Sequence, residues 1–503
     1  MITQFNLGRM KLLSLWAPNA STCTLHLDGS DYPMQRFGDS FHIRLPQPPA
    51  GSRYGFSVDG AAVLPDPRSQ AQPDGVHGLS AVVDPSLITT RSRAYNQLAQ
   101  PCFDVIYELH VGAFAGDFDG VIARLDYLCA LGVSAIELMP IQPFSGNFNW
   151  GYDGVSWFAV HEGYGGMAGL CRLIDAAHER QIAVILDVVY NHFGPEGNYT
   201  DTFGPYTLKK RTPWGAQINV RNPKVRSFIL DAARQWLDLG VDGLRLDATH
   251  TFAEEELLTD FALLDGWICA EDLRDRADLP VTCQWNDELM LALGRCVEHG
   301  GSVDELVQEL RLRYPSVVYT STHDSVGNRP LGDRPSMRLD APALLCAFAL
   351  IAALDAPVML FMGEEYAADT PFPFFCDHQD ESTRQHTRAG RAKMLKDRGF
   401  FTPAPDPLAK STFESAALLF DVDKTPHSQQ VWDGYRAIIR AKRTHPINAT
   451  SVMVEDGWLV LRGDQGFIRA NMSTTNLVHP DTGRSCAPYA FEWCSTFGEV
   501  IVN

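Results

Sequence analysis

At 503 residues the chain exceeds what one ordinary hydrophobic core organises, which leaves roughly three domains or one large barrel with additions. A formal charge of -19, with 45% hydrophobic and 20% charged residues, fits a globular protein and excludes a nucleic-acid or anionic-membrane partner, whose surface would require clustered Lys and Arg. Eleven cysteines, an odd count without CxxC pairs, read as reduced thiols of a cytoplasmic protein rather than a disulfide framework.

The first twenty residues hold a short apolar patch and no small-residue cleavage site, so no secretion signal is expected. Up to about residue 88, short β-type runs (LLSLWAP, TCTLHLDG, FHIRL, RYGFSVDG) alternate with Asp-Gly turns and a proline cluster at 46–49, the pattern of a small antiparallel sandwich. The polar stretch 89–101 lacks periodicity and suits a linker.

From residue 104 the pattern becomes strand then helix. Candidate strands are DVIYELH (104–110), SAIELMP (134–140), AVILDVV (183–189), DGLRLD (242–247), GWICAE (266–271), VTCQW (281–285), SVVYTST (316–322) and PVMLFMG (357–363). Between them lie stretches such as GVIARLDYLCAL and VRSFILDAARQWLDL, with apolar residues at helical spacing. Eight near-continuous apolar strands alternating with helices predict an α/β fold, a closed (β/α)8 TIM barrel over 89–410. A doubly wound open sheet is the alternative, and no glycine-rich phosphate turn follows the first strand to support it. The apolar run 343–362 is long enough to span a bilayer, but Asp355 and Pro357 interrupt it, and a buried helix followed by a buried strand fits better. After the proline-rich FTPAPDPLAK come an amphipathic helix over 429–442 and short strands with turns at Asp456-Gly457 and Gly463-Asp464. These predict a C-terminal helix and small β-sandwich over 411–503, balancing an N-terminal β-sandwich over 1–88.

In such a barrel the chemistry sits at the C-terminal ends of the strands. Strand three ends in Asp187, followed by Asn191 and His192; strand four ends in Asp247, strand five in Glu271, and strand seven runs into His323 and Asp324. Any one of these acids alone would read as a helix cap or salt-bridge partner. Several converging on one barrel face cost stability unless they are used. Arg245 and Asp247, two apart on a strand, face one cavity, and the guanidinium keeps the carboxylate ionised. For DGLRLD alone a structural ion pair is an equal reading. Glu271 follows the apolar GWICA run, so desolvation favours its protonated form. That asymmetry suits glycosidic chemistry: Asp247 attacks the anomeric carbon, while Glu271 protonates the leaving oxygen and later activates water. Asp324, with His323 and His192, would hold sugar hydroxyls. Trp150, Tyr152 and Asp153 lie in a glycine-rich loop taken as exposed, where Tyr152 is the aromatic expected to meet a sugar. Trp214 and Trp285 taken alone read as packing residues. No cluster has zinc-ligand spacing.

DVVYNH, GLRLDATH, ICAED and STHD, in that order on those strands, resemble the four motif regions of the α-amylase superfamily of glycoside hydrolases. The resemblance implies a retaining mechanism with Asp247 as nucleophile, Glu271 as acid/base and Asp324 as transition-state stabiliser. It also implies a substrate site supported by Arg245, Asp187, Tyr152, His192 and His323, to which His250, Trp150, Asp153, Asn328, Arg329 and Trp285 are added. LPDPRSQAQPDGVHGLSAVVD, YELHVGAF, NWGYDGV, VVYNHFGPEGNY, TPWGAQIN, HDSVGNR and MGEEYAADTPFPFFCDH further resemble the branch that cleaves maltooligosyltrehalose to release trehalose. The N-terminal sandwich is similar to the carbohydrate-binding-like module preceding the barrels of branching and debranching enzymes. The chain departs from that branch after Trp285-Asn286-Asp287, where Glu288, Leu289 and Met290 replace an aromatic residue and paired histidines. Ser325 stands where a glutamine is usual, and the segments between strands four and five and between six and seven are shorter. These positions bear on the leaving-group pocket rather than the catalytic trio. A branching-type glucanotransferase or amylase-like oligosaccharide hydrolase, and a non-catalytic binding or scaffold protein, are the other readings. The expected partner is an α-glucan oligosaccharide such as maltooligosyltrehalose, bound by a monomer or dimer. Asn191 matches a calcium-ligating position of many amylases, but one candidate ligand falls short of a cage of six or more oxygens. No metal or cofactor is expected.

Overall fold

The computed structural model describes residues 10–90, 103–274, 276–420, 425–495 and 500–502. The first nine residues and most of the expected linker at 89–101 lie outside them.

Eight short strands close into a parallel barrel: β1 Val105–Leu109, β2 Ala135–Leu138, β3 Ala183–Val188, β4 Gly243–Leu246, β5 Trp267–Ala270, β6 Cys283–Trp285, β7 Ser316–Tyr319 and β8 Val358–Phe361. Each lies within one of the eight expected segments. The strands are buried on both faces, as their continuous apolar runs require. One side of each strand packs against surrounding helices, and the other points into the barrel. Inside, a layer of small and apolar residues fills the axis: Ile106, Ala135, Ile185, Cys269, Cys283, Val317 and Met359. Side chains alternate faces, so the next inward positions are two residues further towards the strand ends. There stand Glu108, Glu137, Asp187, Arg245, Glu271, Trp285 and Tyr319. An apolar plug thus supports a polar layer at the C-terminal face of the barrel.

The expected helix at 120–131 is two pieces, Phe118–Ile122 and Leu125–Leu131, whereas Pro223–Asp238 forms one helix with Asn222 capping its start. The apolar run near 343–362 is the buried helix Ala341–Ala352 followed by β8. Among the described residues, no helix is long and apolar enough to cross a membrane.

Two antiparallel sheets precede the barrel. Met10–Trp16, Gln35–Phe37 and Ser40–Pro46 form one; Cys23–Leu27, Ser30–Pro33, Arg53–Val58 and Ser80–Ala81 form the other. Leu13, Leu15, Leu25, Phe41 and Phe56 fill the space between them. Beyond the barrel, the helix Pro426–Thr444 docks against Ala341–Ala352, with Tyr435 stacked on Phe348 at 4.3 Å. The buried Lys442 ammonium donates to the carbonyls of Ala352, Leu354 and Ala356, satisfying the end of that helix. A five-stranded antiparallel sheet and a two-stranded ribbon follow, and Asp456 (φ 50°) and Gly457 (φ 86°) form the left-handed two-residue turn of its first hairpin.

Candidate active site

Arg245 is the hub of the polar layer. Its Nη1 donates to both oxygens of Asp187 (3.0 and 2.9 Å) and to Asp247 Oδ1 (2.8 Å), and its Nη2 donates to Glu271 Oε2 (2.7 Å). Register explains the arrangement: Arg245 pairs directly with Asp187 on β3 and with Cys269 on β5, two residues before Glu271. The sequence reading assigned this guanidinium to Asp247 alone. Instead it binds three carboxylates from three strands, with Asp247 on Nη1 and Glu271 on Nη2 of the same guanidinium.

The difference between those two acids therefore comes from their other neighbours. Asp247 Oδ2 accepts from Asn191 Nδ2 at 2.6 Å. Glu271 Oε2 also accepts the Ala248 backbone N–H at 3.0 Å, and burial pushes its carboxyl above the ordinary range, opposed by Arg245 and reinforced by the charge of Asp247. Ala248 is held in the left-handed region (φ 44°), a strained conformation for a residue with a Cβ, immediately after Asp247.

Tyr152 and His323 form the opposite wall. The loop after β2 turns at Gly151 (φ 104°), where a Cβ would come within 2.2 Å of the Pro140 carbonyl oxygen. That turn carries Tyr152 inward: its hydroxyl donates to Asp187 Oδ2 at 2.6 Å and meets His323 Nε2 at 2.9 Å. Asp324 lies one residue on, in the first turn of the helix His323–Gly327, with its side chain half exposed and Oδ1 accepting from Asn328 Nδ2. Trp214, 49% exposed, lies parallel to the His192 ring with centroids 5.9 Å apart. His192 Nε2 meets the Tyr152 carbonyl at 3.0 Å.

Several expected site residues occupy different positions. The loop carrying Trp150 is not exposed: Trp150 is 3% accessible, stacked on Phe372 and perpendicular to the His323 ring. It buttresses that histidine instead of offering a face to a sugar. Trp285 is likewise buried beneath Arg245, matching the packing reading and removing it from the substrate surface. Arg329 is engaged by Asp333 at 2.7 Å and lies over Phe400, while Asp153 accepts from Asn149 Nδ2 at 2.7 Å. His250 sits in the short turn Thr249–Thr251 after β4, partly buried. Trp214, read as packing, is the aromatic exposed beside His192.

Sequence reasoning missed Glu108, Glu137 and Asp287. Each interrupts or follows an apolar strand, and a charged residue at an inward strand position is the signal that could have found them. Burial raises the Asp287 carboxyl to about 6, with Glu271 adding to the rise and the Tyr319 hydroxyl opposing it. Asn191 spends its amide nitrogen on the side chain and backbone of Asp247. Among the described residues, no group of three or more His, Cys, Asp or Glu side chains is placed to hold a metal.

A closed barrel with paired carboxylates at its mouth has the layout for acid-assisted displacement at a glycosidic carbon. Residues 63–214 match the family model for the alpha amylase catalytic domain. Taken with relatives that align over nearly the whole chain, this establishes that the chain belongs to the α-amylase family of glycoside hydrolases. Those relatives are malto-oligosyltrehalose trehalohydrolases: that of Mycobacterium tuberculosis is 35% identical, covering 93% of this chain and 94% of its own length. That of Saccharolobus solfataricus is 34% identical, covering 90% and 89%. A solved structure of a putative alpha amylase from Salmonella typhimurium superposes with a TM-score of 0.87 at 29% identity, covering 96% of this chain and 97% of that one.

Proposed function

We propose that the protein cleaves the α-1,4-glucosidic bond next to the terminal trehalose of maltooligosyltrehalose, releasing trehalose and a shortened maltooligosaccharide. The observation that carries the chemistry is the sharing of Arg245 by Asp247 and Glu271. Retaining glycosidases hold their two carboxyl groups about 5 Å apart, and one guanidinium gripping both favours that spacing over the wider inverting one.

In this reading Asp247, ionised and held by Arg245 and Asn191, attacks the anomeric carbon as Glu271 passes its proton to the departing glycosidic oxygen. The bond to the leaving sugar breaks as the Asp247 ester forms. The Glu271 carboxylate then takes a proton from water, whose oxygen displaces Asp247 from the same carbon and restores both groups. Asp324 holds sugar hydroxyls while positive charge develops at the ring, with His192 and His323 beside it. Trp214 offers a stacking face at the rim.

The choice of leaving group rests on the named relatives and on the motifs beyond the catalytic trio. One observation favours a second reading, an α-glucan-active enzyme with a different leaving-group pocket. After β6 the chain enters the helix Asp287–His299 at once, with Leu289 and Met290 buried and only Glu288 turned outward. Product analysis separates the two. Incubation with maltooligosyltrehalose and with maltooligosaccharide of equal length should release trehalose from the first and leave the second nearly intact. Equal cleavage, or longer transfer products, favours the second reading. Full activity in Asp247→Ala would instead revive a binding or scaffold role.

A further inference from the structure

The inward acid of β1 has no part in the scheme above, yet both of its oxygens are engaged by a single residue. Glu108 is 1% exposed. Its Oε2 accepts the backbone N–H of His323 at 3.0 Å, and its Oε1 meets His323 Nδ1 in a short contact. On the other side of the ring, Nε2 faces the Tyr152 oxygen. The single Tyr152 proton is directed to Asp187, which also accepts twice from Arg245. The phenolic oxygen is then free only to accept from His323. Both ring nitrogens thus face acceptors, and an imidazole satisfies two acceptors only with a proton on each nitrogen. Trp150 and Trp285 pack against the same ring, which is 3% exposed.

We propose that Glu108 is a positioning residue for the reaction: it fixes His323 in orientation and in its doubly protonated form, so that a cation stands beside Asp324 at the barrel mouth. The inference rests on the α-glucan hydrolase reading of the site. Burial works against charge on this ring, but Glu108, with help from Asp324, more than overcomes it and brings His323 to about 9. The titratable groups facing the ring are Glu108 and Glu137 from β1 and β2, Asp187, Glu271 and Arg245 across the mouth, and Asp324 on its own helix, with His110 and Tyr152 alongside; burial raises Glu137, Asp187 and Glu271. Of these only Glu108 bonds Nδ1. Without it, the surplus proton moves towards Asp187 or leaves the network. His323 then loses its fixed register against Tyr152, and Asp324 loses its cationic neighbour at 3.8 Å.

Histidine-selective 15N NMR on the wild-type protein, with His323 assigned by comparison with His323→Gln, reads the protonation state directly. At pH 7.5 the His323 ring should show two protonated nitrogens, and in Glu108→Gln it should show one. Steady-state kinetics on maltooligosyltrehalose should give Glu108→Gln a kcat reduced about tenfold to a hundredfold, KM within about twofold, and a basic limb displaced to lower pH, because His323 then replaces Glu271 as the first group to lose a proton that the reaction needs. Glu108→Asp, which keeps the charge, should restore the limb even where kcat stays reduced. A neutral His323 in the wild type, or a Glu108→Gln enzyme with unchanged kcat and pH profile, overturns the proposal. If Glu108→Gln fails to fold, the wild-type spectrum and the Glu108→Asp limb decide it. A wild type inactive on every α-glucan defeats the functional reading while leaving the spectrum to judge the proton on its own.

Discussion

The guanidinium of Arg245 lies 4.1 Å over the ring of Trp285. An arginine so deeply buried is expensive unless its donors are used and its face is covered. Here three carboxylates take the two Nη groups, Nε is left without a partner, and an indole covers one face.

Arg245 therefore sets both stability and chemistry. Arg245→Met should leave Asp187, Asp247 and Glu271 without the guanidinium they share and destabilise the fold by about 3–5 kcal/mol, with activity falling below detection. Trp285→Leu keeps the ion network but removes its cover, costing about 2–4 kcal/mol with a smaller loss of kcat. Chemical denaturation followed by circular dichroism, alongside initial rates, ranks the two. Equal stability of Arg245→Met and wild type contradicts the account.

The two acids should fail differently. In the proposed scheme Asp247→Asn removes the attacking oxygen and should abolish turnover on every substrate. Glu271→Gln removes only the proton, so it should lower kcat on a glucan by about 10²–10⁴-fold yet spare the first step on an aryl glycoside whose leaving group needs no acid. Because burial raises Glu271, and this group must be protonated to act, the alkaline limb of wild-type kcat/KM should lie above the ordinary glutamate range. Pre-steady-state release of the aryl group tests the first claim, and a pH series the second.

A pH effect on stability should arise away from the active site. Glu365 is buried, its Oε1 accepting from Tyr107 and Tyr127, and burial lifts it from 4.5 to about 7 against the pull of those hydroxyls. A carboxyl raised in the folded state contributes fully below its unfolded value, and that contribution is lost as pH rises through the folded value. Wild type should therefore lose up to about 3 kcal/mol between pH 4.5 and 7 relative to Glu365→Gln. The amide adds a pH-independent penalty for its unpaired N–H groups, so the slope of the difference in denaturation midpoints is the readout. Parallel curves would refute the assignment.

Trp214 offers a test of binding without chemistry. It is half exposed and lies beside His192, so Trp214→Ala should leave stability within about 0.5 kcal/mol of wild type while raising KM several-fold at nearly constant kcat. Isothermal titration with a maltooligosaccharide on the Asp247→Asn background gives the affinity directly. An unchanged Kd would remove Trp214 from the substrate surface.

Local order along the chain determined the eight strands, their sequence around the barrel and the mouth at which Asp187, Asp247, Glu271, His323 and Asp324 emerge. A strand's two-residue alternation is written in neighbouring residues, so inward positions can be counted from the sequence alone. Partnership is not local. Glu108 and His323 are 215 residues apart, and only barrel closure, setting β8 against β1, brings them into contact. The sharing of Arg245 among three acids likewise follows from register between β3, β4 and β5, which no single segment encodes. Whether an aromatic ring packs or faces solvent was decided in the same way. Trp150 lies under Phe372 and Trp214 does not, because burial depends on what distant segments place over a loop once the core has closed.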